Sequence, residues 1–523
     1  MCGFAGSNSF SAESSFGFFS AVDIRGRDGV TTGNILGLDY RFARLALNDL
    51  SSAGQQPISS FCGRYTVLFN GEIYNFRKFG QELIACGIEF KSSTDTEVFV
   101  NMVSVWGLEA TLSKVQGAFS CALFDAIENC IFLVRDPFGE KPLFYSCTDS
   151  TISFSSCLSS FRGFFPVCKE NAKTFCEVGY ISGIDTVFRD VFEVPVDSIL
   201  RYDLCDGRLD KLSIQKLLKS TSDGSYHLND ALSHSVGLMG IADAEIGLFL
   251  SGGVDSSVVA AFCRQLHLDL RCYSFDTRYY GEGEMDAAKS VAKKLNVSHS
   301  VIHVDDIKFH ENIDEYIESM TEPNTDPSYF ALYELSKFAG KEVKAALTGD
   351  GADELFMGYR RHTLAQFFSN KIILQRFTFW ILKFLTYFTL TIPNKTSDSI
   401  SNILCLLSGQ YRSFIKKQKG YAYKFKPIDI KSLLLEERNT FLLYQVLRKS
   451  DMAALANGVE VRAPFLMDVV VNSSLKYTPQ ELNDVKKNKI PLRDLLTHYE
   501  LADSVEKGKR GFQLDTDRLI KNE

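Results

Sequence analysis

A cysteine at position 2 is the first residue of this chain whose type and place indicate chemistry. Removal of the initiator methionine, which the small Cys2 side chain permits, would leave a free α-amino group on the same residue. That amine titrates at about pH 8 and can accept the thiol proton without a histidine. A nucleophile activated by an N-terminal amine is a known catalytic arrangement. The alternative is a chance position in a chain with 13 cysteines.

Three short motifs supply groups that hydrolysis of a glutamine side-chain amide requires. NGEIYN provides the Asn70 side chain and the Gly71 backbone N–H, which can hold a tetrahedral oxyanion. In RLALND, Arg44 can pair with the α-carboxylate of the substrate. Glu72, and Asp95 in STDTE, can bind the substrate ammonium group. Taken singly, each of these residues also fits a turn or a surface charge.

A glycine- and serine-rich loop, SGGVDSS at 251–257, follows an apolar stretch and precedes a helical one. Glycines let the backbone approach a phosphate, and serine hydroxyls together with helix N-terminal N–H groups can bind it. The spacing matches neither GxxxxGK[ST] nor GxGxxG. The alternative is a plain strand-to-helix turn in which Asp255 and Ser256 cap the helix.

A second loop, TGDGADELFMGY at 348–359, brings Asp350, Asp353 and Glu354 together within five residues. Three carboxylates this close repel one another unless a cation lies between them. A divalent metal ion, or a cationic group on a substrate, would relieve that repulsion. An acidic surface loop is the alternative.

The elements that must position these motifs fall into two patterns. The first 205 residues or so favour β structure, and polar residues between 203 and 230 predict a domain boundary. Alternating strands and helices follow, which indicates a parallel sheet with helices on its faces. The chain from about residue 360 onwards reads as mainly helical. The predicted strands are 65–69, 131–134, 143–145, 198–202, 245–250, 271–275, 299–304 and 343–347, and the predicted helices are 256–266, 285–295 and 328–338.

Composition and charge exclude several classes of protein. A net charge of -7 argues against a broad nucleic-acid surface. The cysteines form no CxxC pair, so no zinc site is expected, and scattered thiols fit a reducing cytoplasm. The N-terminus lacks the features of a signal peptide.

The apolar stretch 377–392 is 16 residues long and contains Lys383. It is therefore expected to be a buried helix and not a membrane span, with a monotopic membrane contact as the alternative.

The motifs of the first 145 residues together resemble class II glutamine amidotransferases, which are N-terminal-nucleophile hydrolases with a sandwich fold. CGFAG, RGRDG, RLALND, NGEIYN, STDTE and RDPFGEKPL carry the resemblance. It implies that Cys2 forms a glutamyl thioester and releases ammonia. It also implies that Leu45 and Leu47 contribute to the glutamine pocket. Arg27 departs from the family, which usually has proline in this turn.

Both halves together resemble the glutamine-hydrolysing asparagine synthetase family, in which an ATP-pyrophosphatase domain follows the glutaminase. The resemblance implies that Asp255 and Asp353 hold Mg²⁺ and that Asp350 takes part in forming an acyl-adenylate. Glu354 is assigned to the ammonium group of the acceptor. The resemblance implies contacts with ATP for Phe249, Leu250, Ser251, Gly252, Gly253, Asp255, Ser256, Phe275, Thr348, Gly349, Lys489 and Lys509.

Several positions depart from that family. Thr348 and Ala352 replace the more common serine and glycine, and Met467 stands where aspartate usually follows PFL. The segment VEVRAPFL at 459–466 matches a helix-to-turn segment of the family. Relatives extend well beyond KRGF, whereas this sequence ends about ten residues after it.

These features predict an α+β N-terminal-nucleophile sandwich over 1–205, a linker over 206–230, and an α/β ATP-pyrophosphatase domain over 231–523 with a mainly helical C-terminal region. The expected activity is amidation of a carboxylate through an acyl-AMP, with aspartate as the default acceptor. Alternatives are a carboxylated sugar or other metabolite as acceptor, a glutaminase alone, and a non-enzymatic relative that binds nucleotide or glutamine. The expected ligands are glutamine, ATP, Mg²⁺ and a carboxylic acid. Nucleic acid and a membrane span are not expected, and a homodimer is left open.

Overall fold

The structure is a computed structural model of the 523-residue chain. It describes residues 2–11, 15–148, 150–213, 226–269, 271–276, 284–303, 311–369, 429–484 and 487–505. The stretch 377–392 and Lys509 lie outside these residues, as does much of the predicted linker. No helix among the described residues is long and apolar enough to cross a membrane.

Two antiparallel sheets of six strands each form the first half of the chain. One has the order β10-β8-β9-β1-β3-β2 and the other has the order β12-β11-β7-β6-β5-β4. In chain order the strands are β1 Gly3–Ser7, β2 Gly29–Ile35, β3 Leu38–Arg44, β4 Ile58–Ser59, β5 Tyr65–Ile73, β6 Gly117–Asp125, β7 Cys130–Arg135, β8 Phe144–Thr148, β9 Thr151–Ser155, β10 Phe192–Glu193, β11 Ser198–Asp203 and β12 Leu209–Ser213.

The two sheets pack face to face, and helices cover their outer faces. Phe4 and Phe42 of the first sheet share one core with Phe124 and Leu133 of the second. A second core lies between the outer face of the second sheet and two helices, and a third lies outside the first sheet. The helices of this half are α1 Phe16–Ser20, α2 Phe76–Ala85, α3 Asp95–Trp106, α4 Leu108–Leu112 and α5 Lys169–Val178, with 3₁₀ turns at Asp23–Arg25, Ser52–Gly54 and Leu158–Phe161.

A parallel sheet of five strands forms the centre of the second half. Its strands are β13 Ile246–Phe249, β14 Arg271–Asp276, β15 His299–His303, β16 Ala345–Leu347 and β17 Glu460–Arg462. Their order is β15-β14-β13-β16-β17, so the strand order reverses between β13 and β16. In open parallel sheets, ligands bind beyond the carboxyl ends of the strands at such a reversal. Both predicted phosphate-site loops begin there, since SGGVDSS follows β13 and TGDGADE follows β16.

Helices cover both faces of the parallel sheet, where separate apolar cores lie. The described helices of this half are α6 Leu228–Met239, α7 Val254–Gln265, α8 Glu284–Leu295, α9 Ile313–Ser319, α10 Ser328–Ala339, α11 Ala352–Leu355, α12 Arg360–Ser369, α13 Ile430–Glu437, a π-helix at Arg438–Leu447, α14 Arg448–Leu455, α15 Asp468–Ser474, α16 Pro479–Leu482 and α17 Ile490–His498, with a 3₁₀ turn at Pro464–Leu466.

The predicted fold class is confirmed, with three local differences. No helix was predicted in the first half, yet α2 and α3 cover one sheet. The expected helix-to-turn segment is wrong, because residues 460–462 are strand β17. Strand β12 lies inside the range predicted as a linker and pairs with β11, which extends the second sheet into that range.

Buried ion pairs join the two halves. Arg25 binds Asp451 with an N–O distance of 2.7 Å, and neither side chain is more than 2% exposed. Arg462 is fully buried and binds Glu72 of the first half and Glu460 of its own strand. Breaking one partner of a buried pair typically costs about 3–5 kcal/mol. The halves are therefore held by charges that neither half can satisfy alone.

Candidate functional site

Cys2 lies immediately before β1, in the core between the two sheets of the first half. Its backbone nitrogen donates to Asn70 Oδ1 at 3.2 Å, and its Sγ lies 4.0 Å from the Leu45 carbonyl oxygen. Asn70 is on β5, opposite Ser120 of β6, and has no exposed surface. The pairing of two sheets thus brings together residues that are 68 positions apart in sequence.

The Cys2 thiol is buried and its pKa lies above the ordinary value of a thiol. Burial raises its pKa, an effect that the nearby Arg44 opposes and Asp95 reinforces. A thiol of this kind needs a base before it can act as a nucleophile, because the thiolate is the reactive form.

Gly71 occupies a backbone conformation that only glycine adopts easily. Its φ is +126°, and a Cβ at this position would overlap the Ala118 carbonyl oxygen of β6. The residue type is therefore dictated by the close approach of two strands, next to the Asn70 side chain.

Arg44 is buried at the end of β3, where its guanidinium is held by its own loop. Nη1 donates to the Ser51 carbonyl oxygen at 2.5 Å, and Nη2 donates to the Asp49 carbonyl oxygen. Gly54 leaves the space that the guanidinium fills, because a side chain there would overlap Nη2. This fixed orientation suits a clamp for a carboxylate.

Asp95 is the first residue of α3, and backbone N–H groups hold its carboxylate. Ile73 N donates to Oδ2 and Thr96 N donates to Oδ1, each at 2.8 Å. Burial raises the pKa of Asp95 to about 6, against the lowering effect of these hydrogen bonds. The STDTE motif is thus a helix start as well, with Thr94 as its N-cap.

Glu72 differs from the prediction that it binds a substrate ammonium group. Asn48 Nδ2 donates to Oε1 and Arg462 Nη2 donates to Oε2, so both oxygens already have partners within the protein. Burial raises the pKa of Glu72 to about 7, although the positive charge of Arg462 acts to lower it. Its position indicates a role at the interface between the halves.

Two residues of the RGRDG segment belong to the Cys2 site, although the sequence analysis gave them no role. Arg25 Nε donates to the Cys2 carbonyl oxygen at 3.3 Å. Asp28 Oδ2 accepts from Ala46 N at 2.8 Å, inside the RLALND segment. The available signal was two charged residues within one short motif, but their partners could not be read from it.

The SGGVDSS loop forms a compact turn before the 12-residue helix α7. Ser256 Oγ accepts from Ser251 N at 3.1 Å and lies 3.0 Å from Ser251 Oγ. Gly253 is the N-cap of α7 and no side chain caps that end, so the alternative in which Asp255 and Ser256 cap the helix is wrong. The N–H groups of this helix end suit a phosphate.

Lys489 joins the two acidic residues that were predicted to hold a metal ion. Its Nζ lies 2.6 Å from Asp255 Oδ2 and 2.6 Å from Asp353 Oδ1. Gly349 packs against Asp255, where a Cβ would come within 2.7 Å of the Asp255 Cβ. A side chain at Gly358 would overlap both Asp353 and Lys489. The two loops therefore meet at the ammonium group of Lys489, which lies at the start of α17.

Two carboxylates with this spacing fit Mg²⁺ bound chiefly through nucleotide phosphates, since Mg²⁺ commonly takes one or two carboxylates and completes its shell with phosphates and water. The described residues contain no group of three or more acidic, histidine or cysteine side chains that would hold a metal ion alone. The residues present thus fit Mg²⁺ only together with a nucleotide.

Asp350 and Thr348 lie beside this pair of carboxylates. Ser450 Oγ donates to Asp350 Oδ2 at 2.9 Å, and Thr348 Oγ1 donates to the same oxygen at 3.2 Å. Phe249, Leu250 and Phe275 are buried at the ends of β13 and β14, and their contact with ATP stays a prediction.

Glu354 is 1% exposed and accepts a hydrogen bond from Tyr359 OH at 2.6 Å. Burial raises its pKa to about 7, and the Tyr359 hydrogen bond opposes that rise. The structure thus places Glu354 in a buried cluster with Arg361 and Glu437, one residue from the carboxylate that binds Lys489.

Comparison with known proteins assigns both halves. The family model described as asparagine synthase matches residues 227–523, more than half of the chain. The chain belongs to the asparagine synthase family. A glutamine amidotransferase domain model matches residues 1–209. The resemblance found in the sequence and the expected enzyme class, a carbon–nitrogen ligase, are thereby confirmed.

Similar curated proteins extend across most of the chain. Glutamine-hydrolysing asparagine synthetase 1 of Bacillus subtilis is 26% identical over 521 residues, covering 92% of this chain and 81% of that protein. A putative glutamine-hydrolysing asparagine synthetase 2 of Methanocaldococcus jannaschii is 26% identical and covers 78% and 82%. A putative asparagine synthetase of Mycobacterium bovis is 30% identical, and the match spans 53% of its length.

Solved structures overlap with this chain only in part. Glutamine phosphoribosylpyrophosphate amidotransferase from B. subtilis is 16% identical with a TM-score of 0.31, covering 54% of this chain and 68% of that one. An NH3-dependent NAD synthetase from Campylobacter jejuni is 17% identical with a TM-score of 0.20, covering 37% and 77%.

Replacement of Glu354 by Gln should change how stability depends on pH. The folded pKa of about 7 exceeds the ordinary value of 4.5, so the carboxyl contributes stability that is complete below pH 4.5 and is lost as pH rises to about 7. The unfolding free energy of Glu354→Gln relative to wild type should rise by about 3 kcal/mol over that range. Urea unfolding at several pH values measures it. Glu109→Gln, at an exposed site, is the control and should run parallel to wild type. Parallel curves for Glu354→Gln would contradict the assignment.

Proposed function

We propose that this chain hydrolyses glutamine at Cys2 and uses the ammonia to convert aspartate to asparagine through an acyl-AMP intermediate. The observation that carries the proposal is the convergence of the SGGVDSS and TGDGADE loops on Lys489 at the reversal of the parallel sheet, in one chain with the Cys2–Asn70 site. This arrangement supplies one site that releases ammonia and another that can bind a nucleotide.

At the first site, the Cys2 thiol attacks the side-chain amide carbon of glutamine. Its own α-amino group accepts the thiol proton, a role available once the methionine is removed. The Asn70 side chain and the Gly71 N–H stabilise the tetrahedral oxyanion. Ammonia then leaves as the thioester forms, and water releases glutamate. Arg44 binds the α-carboxylate, Asp95 binds the ammonium group, and Leu45 and Leu47 line the pocket.

At the second site, a carboxylate oxygen of the acceptor attacks the α-phosphorus of ATP and pyrophosphate leaves. Ammonia attacks the resulting acyl carbon, AMP leaves with the former carboxylate oxygen, and the amide nitrogen loses a proton. Adenylation provides a leaving group that a free carboxylate lacks. Asp350 supports formation of the acyl-adenylate. A small cavity lined by Glu140 and Lys141 of the first half and by Asp350 and Ser450 of the second supports transfer of ammonia inside the protein.

Mg²⁺ would be held by Asp255 and Asp353 together with the phosphates, and it would supply charge neutralisation there. Lys489 already occupies the space between the two carboxylates, and its Nζ would move to the phosphates when they bind. The remaining nucleotide contacts follow the family, as predicted above. Lys509 lies outside the described residues and keeps its predicted role at the phosphates.

Aspartate is the proposed acceptor, and Glu354 is the proposed partner of its ammonium group. The curated relatives described above are named as asparagine synthetases, and no observation favours a sugar acid, a glutaminase alone or a non-enzymatic relative. The twelve cysteines that the structure describes are free thiols, which supports the cytoplasm as the location. A homodimer remains a prediction.

Replacement of Cys2 by Ala should reduce glutamine-dependent amidation on the order of 10³-fold or more, because the nucleophile is lost. Synthesis from added ammonium should remain, since the second site is separate. The measurement is amide formation from aspartate with each nitrogen source. Cys62→Ala, at an exposed cysteine, is the matched control and should behave as wild type. Full glutamine-dependent activity in Cys2→Ala would refute the proposed nucleophile.

Replacement of Asp255 by Asn should abolish pyrophosphate release while glutamine hydrolysis survives at least in part. Loss of a carboxylate at a metal–phosphate site removes several kcal/mol of transition-state stabilisation, which is roughly a 100-fold loss or more. A coupled pyrophosphate assay measures it. Asp269→Asn, at an exposed position after α7, should retain activity. Formation of ADP and phosphate in place of AMP and pyrophosphate would contradict the proposed reaction.

A further inference from the structure

Segments that surround Cys2 bind residues of the other half of the chain. They are the turn that carries Arg25 and Asp28, the RLALND segment, and Glu72. These contacts are made by side chains and backbone groups of the synthetase half, and several of them are fully buried. The geometry around the nucleophile is therefore not set by the first half alone.

A single residue, Arg25, links Asp451 of the second half to the backbone of Cys2. Arg25 donates from Nη1 and Nη2 to the two oxygens of Asp451, at 2.7 and 3.2 Å, and from Nε to the Cys2 carbonyl oxygen. One guanidinium thus joins the nucleophile backbone to helix α14. Two-point binding of the carboxylate fixes the plane of the guanidinium, which in turn fixes the direction of its third hydrogen bond.

Arg462 acts in the same way on the strand that carries Asn70 and Gly71. Its Nη2 binds Glu72, the next residue on β5, while Nε binds Glu460 at 2.8 Å. Nη1 donates to the Met239 carbonyl oxygen at 2.6 Å. The guanidinium is therefore held by the second half and presents one edge to the first.

The RLALND segment is held from the same side. Asp243 N and Ala244 N donate to the Leu47 carbonyl oxygen at 3.1 and 3.0 Å. Asp49 N donates to Asp243 Oδ2 at 2.7 Å. Lys344 Nζ binds Asp28 Oδ2, the oxygen that accepts from Ala46 N, at 2.7 Å.

Helix α14 borders both sites. It carries Asp451, which binds Arg25, and the adjacent Ser450, which donates to Asp350. Arg27, the residue that replaces the usual proline, donates to the Ala456 carbonyl oxygen at the C-terminal end of this helix. A cation is favourable at that end of a helix. The departure at position 27 thus adds a contact between the halves.

We propose that Asp451, acting through Arg25, and Lys344, acting through Asp28, are positioning residues for glutamine hydrolysis, although both belong to the synthetase half. The inference rests on the proposed hydrolysis at Cys2. Loss of either charge leaves a first-half partner, Arg25 or Asp28, without its counter-ion and loosens the segment that it orients.

The test is Asp451→Asn in the full chain. The kcat/KM for glutamine hydrolysis should fall by at least about tenfold, because a hydrogen-bonded charge pair beside the nucleophile is lost. The rate at which the glutamine analogue 6-diazo-5-oxo-norleucine alkylates Cys2 should fall with it. Asp451→Glu should restore part of both rates. A purely structural residue would lower the melting temperature without changing the alkylation rate of the folded protein.

Tyr444→Phe is the matched control, because it removes a hydrogen bond between the halves, to the Gly183 carbonyl oxygen, away from Cys2. It should leave both rates unchanged.

Folded Asp451→Asn with both rates within about twofold of wild type would overturn the inference. If Asp451→Asn does not fold, Lys344→Ala decides, since the Lys344 side chain is 38% exposed. Lys344→Ala should lower both rates about threefold, because a partly exposed ion pair contributes only a small free energy. Unchanged rates would overturn the inference. Retained glutaminase activity in Cys2→Ala would instead show that the proposed function itself is wrong.

Discussion

A buried guanidinium between two halves of a protein must find all of its partners on folding. Arg462 has no exposed surface, and its hydrogen bonds go to Glu72 on one side and to Glu460 and two carbonyl groups on the other. Separating the halves would break the buried contact between Arg462 and Glu72, and removing one partner of a buried ion pair is among the more costly changes in a protein. The buried contacts therefore hold the two halves, and the candidate site in each half, against one another.

Burial also shifts the pKa values of the carboxyl groups along the interface between the halves. Burial raises the pKa of Glu72 to about 7 and that of Glu140 to about 8, while the shared Arg462 and neighbouring cations overcome burial and lower the pKa of Glu460 to about 2. One arginine between two carboxylates cannot neutralise both fully. The pKa values of these neighbouring carboxyl groups therefore differ widely, although their side-chain types are the same.

Prediction from the sequence agreed with the structure where a candidate site lies on a continuous segment. The SGGVDSS and TGDGADE loops each follow a strand of the parallel sheet, so their meeting at its carboxyl edge follows from the alternating pattern. Cys2 and Asn70 were selected because the proposed chemistry requires those residue types, and the fold brings them within hydrogen-bond distance. The STDTE motif was interpreted only as part of a site, although Thr94 also caps a helix, and α3 was missed as a result.

The residues that sequence analysis could not assign have partners far away along the chain. Arg25 and Asp451 are 426 positions apart, and Glu72 and Arg462 are 390 apart. A carboxylate in a motif can bind a substrate or a distant arginine, and local sequence does not distinguish the two. Glu72 was therefore assigned to an ammonium group, whereas in the fold its two oxygens bind Asn48 and Arg462.

The most direct test of coupling between the sites is the origin of the amide nitrogen in the product. Wild-type protein would be supplied with glutamine labelled with ¹⁵N in its side-chain amide, ATP, Mg²⁺ and aspartate, in a large excess of unlabelled ammonium. Mass spectrometry of the asparagine formed gives the fraction of ¹⁵N. If ammonia passes from Cys2 to the second site inside the protein, most of the product carries ¹⁵N despite the excess. Dilution of the label to the proportion of the bulk ammonium would contradict this account.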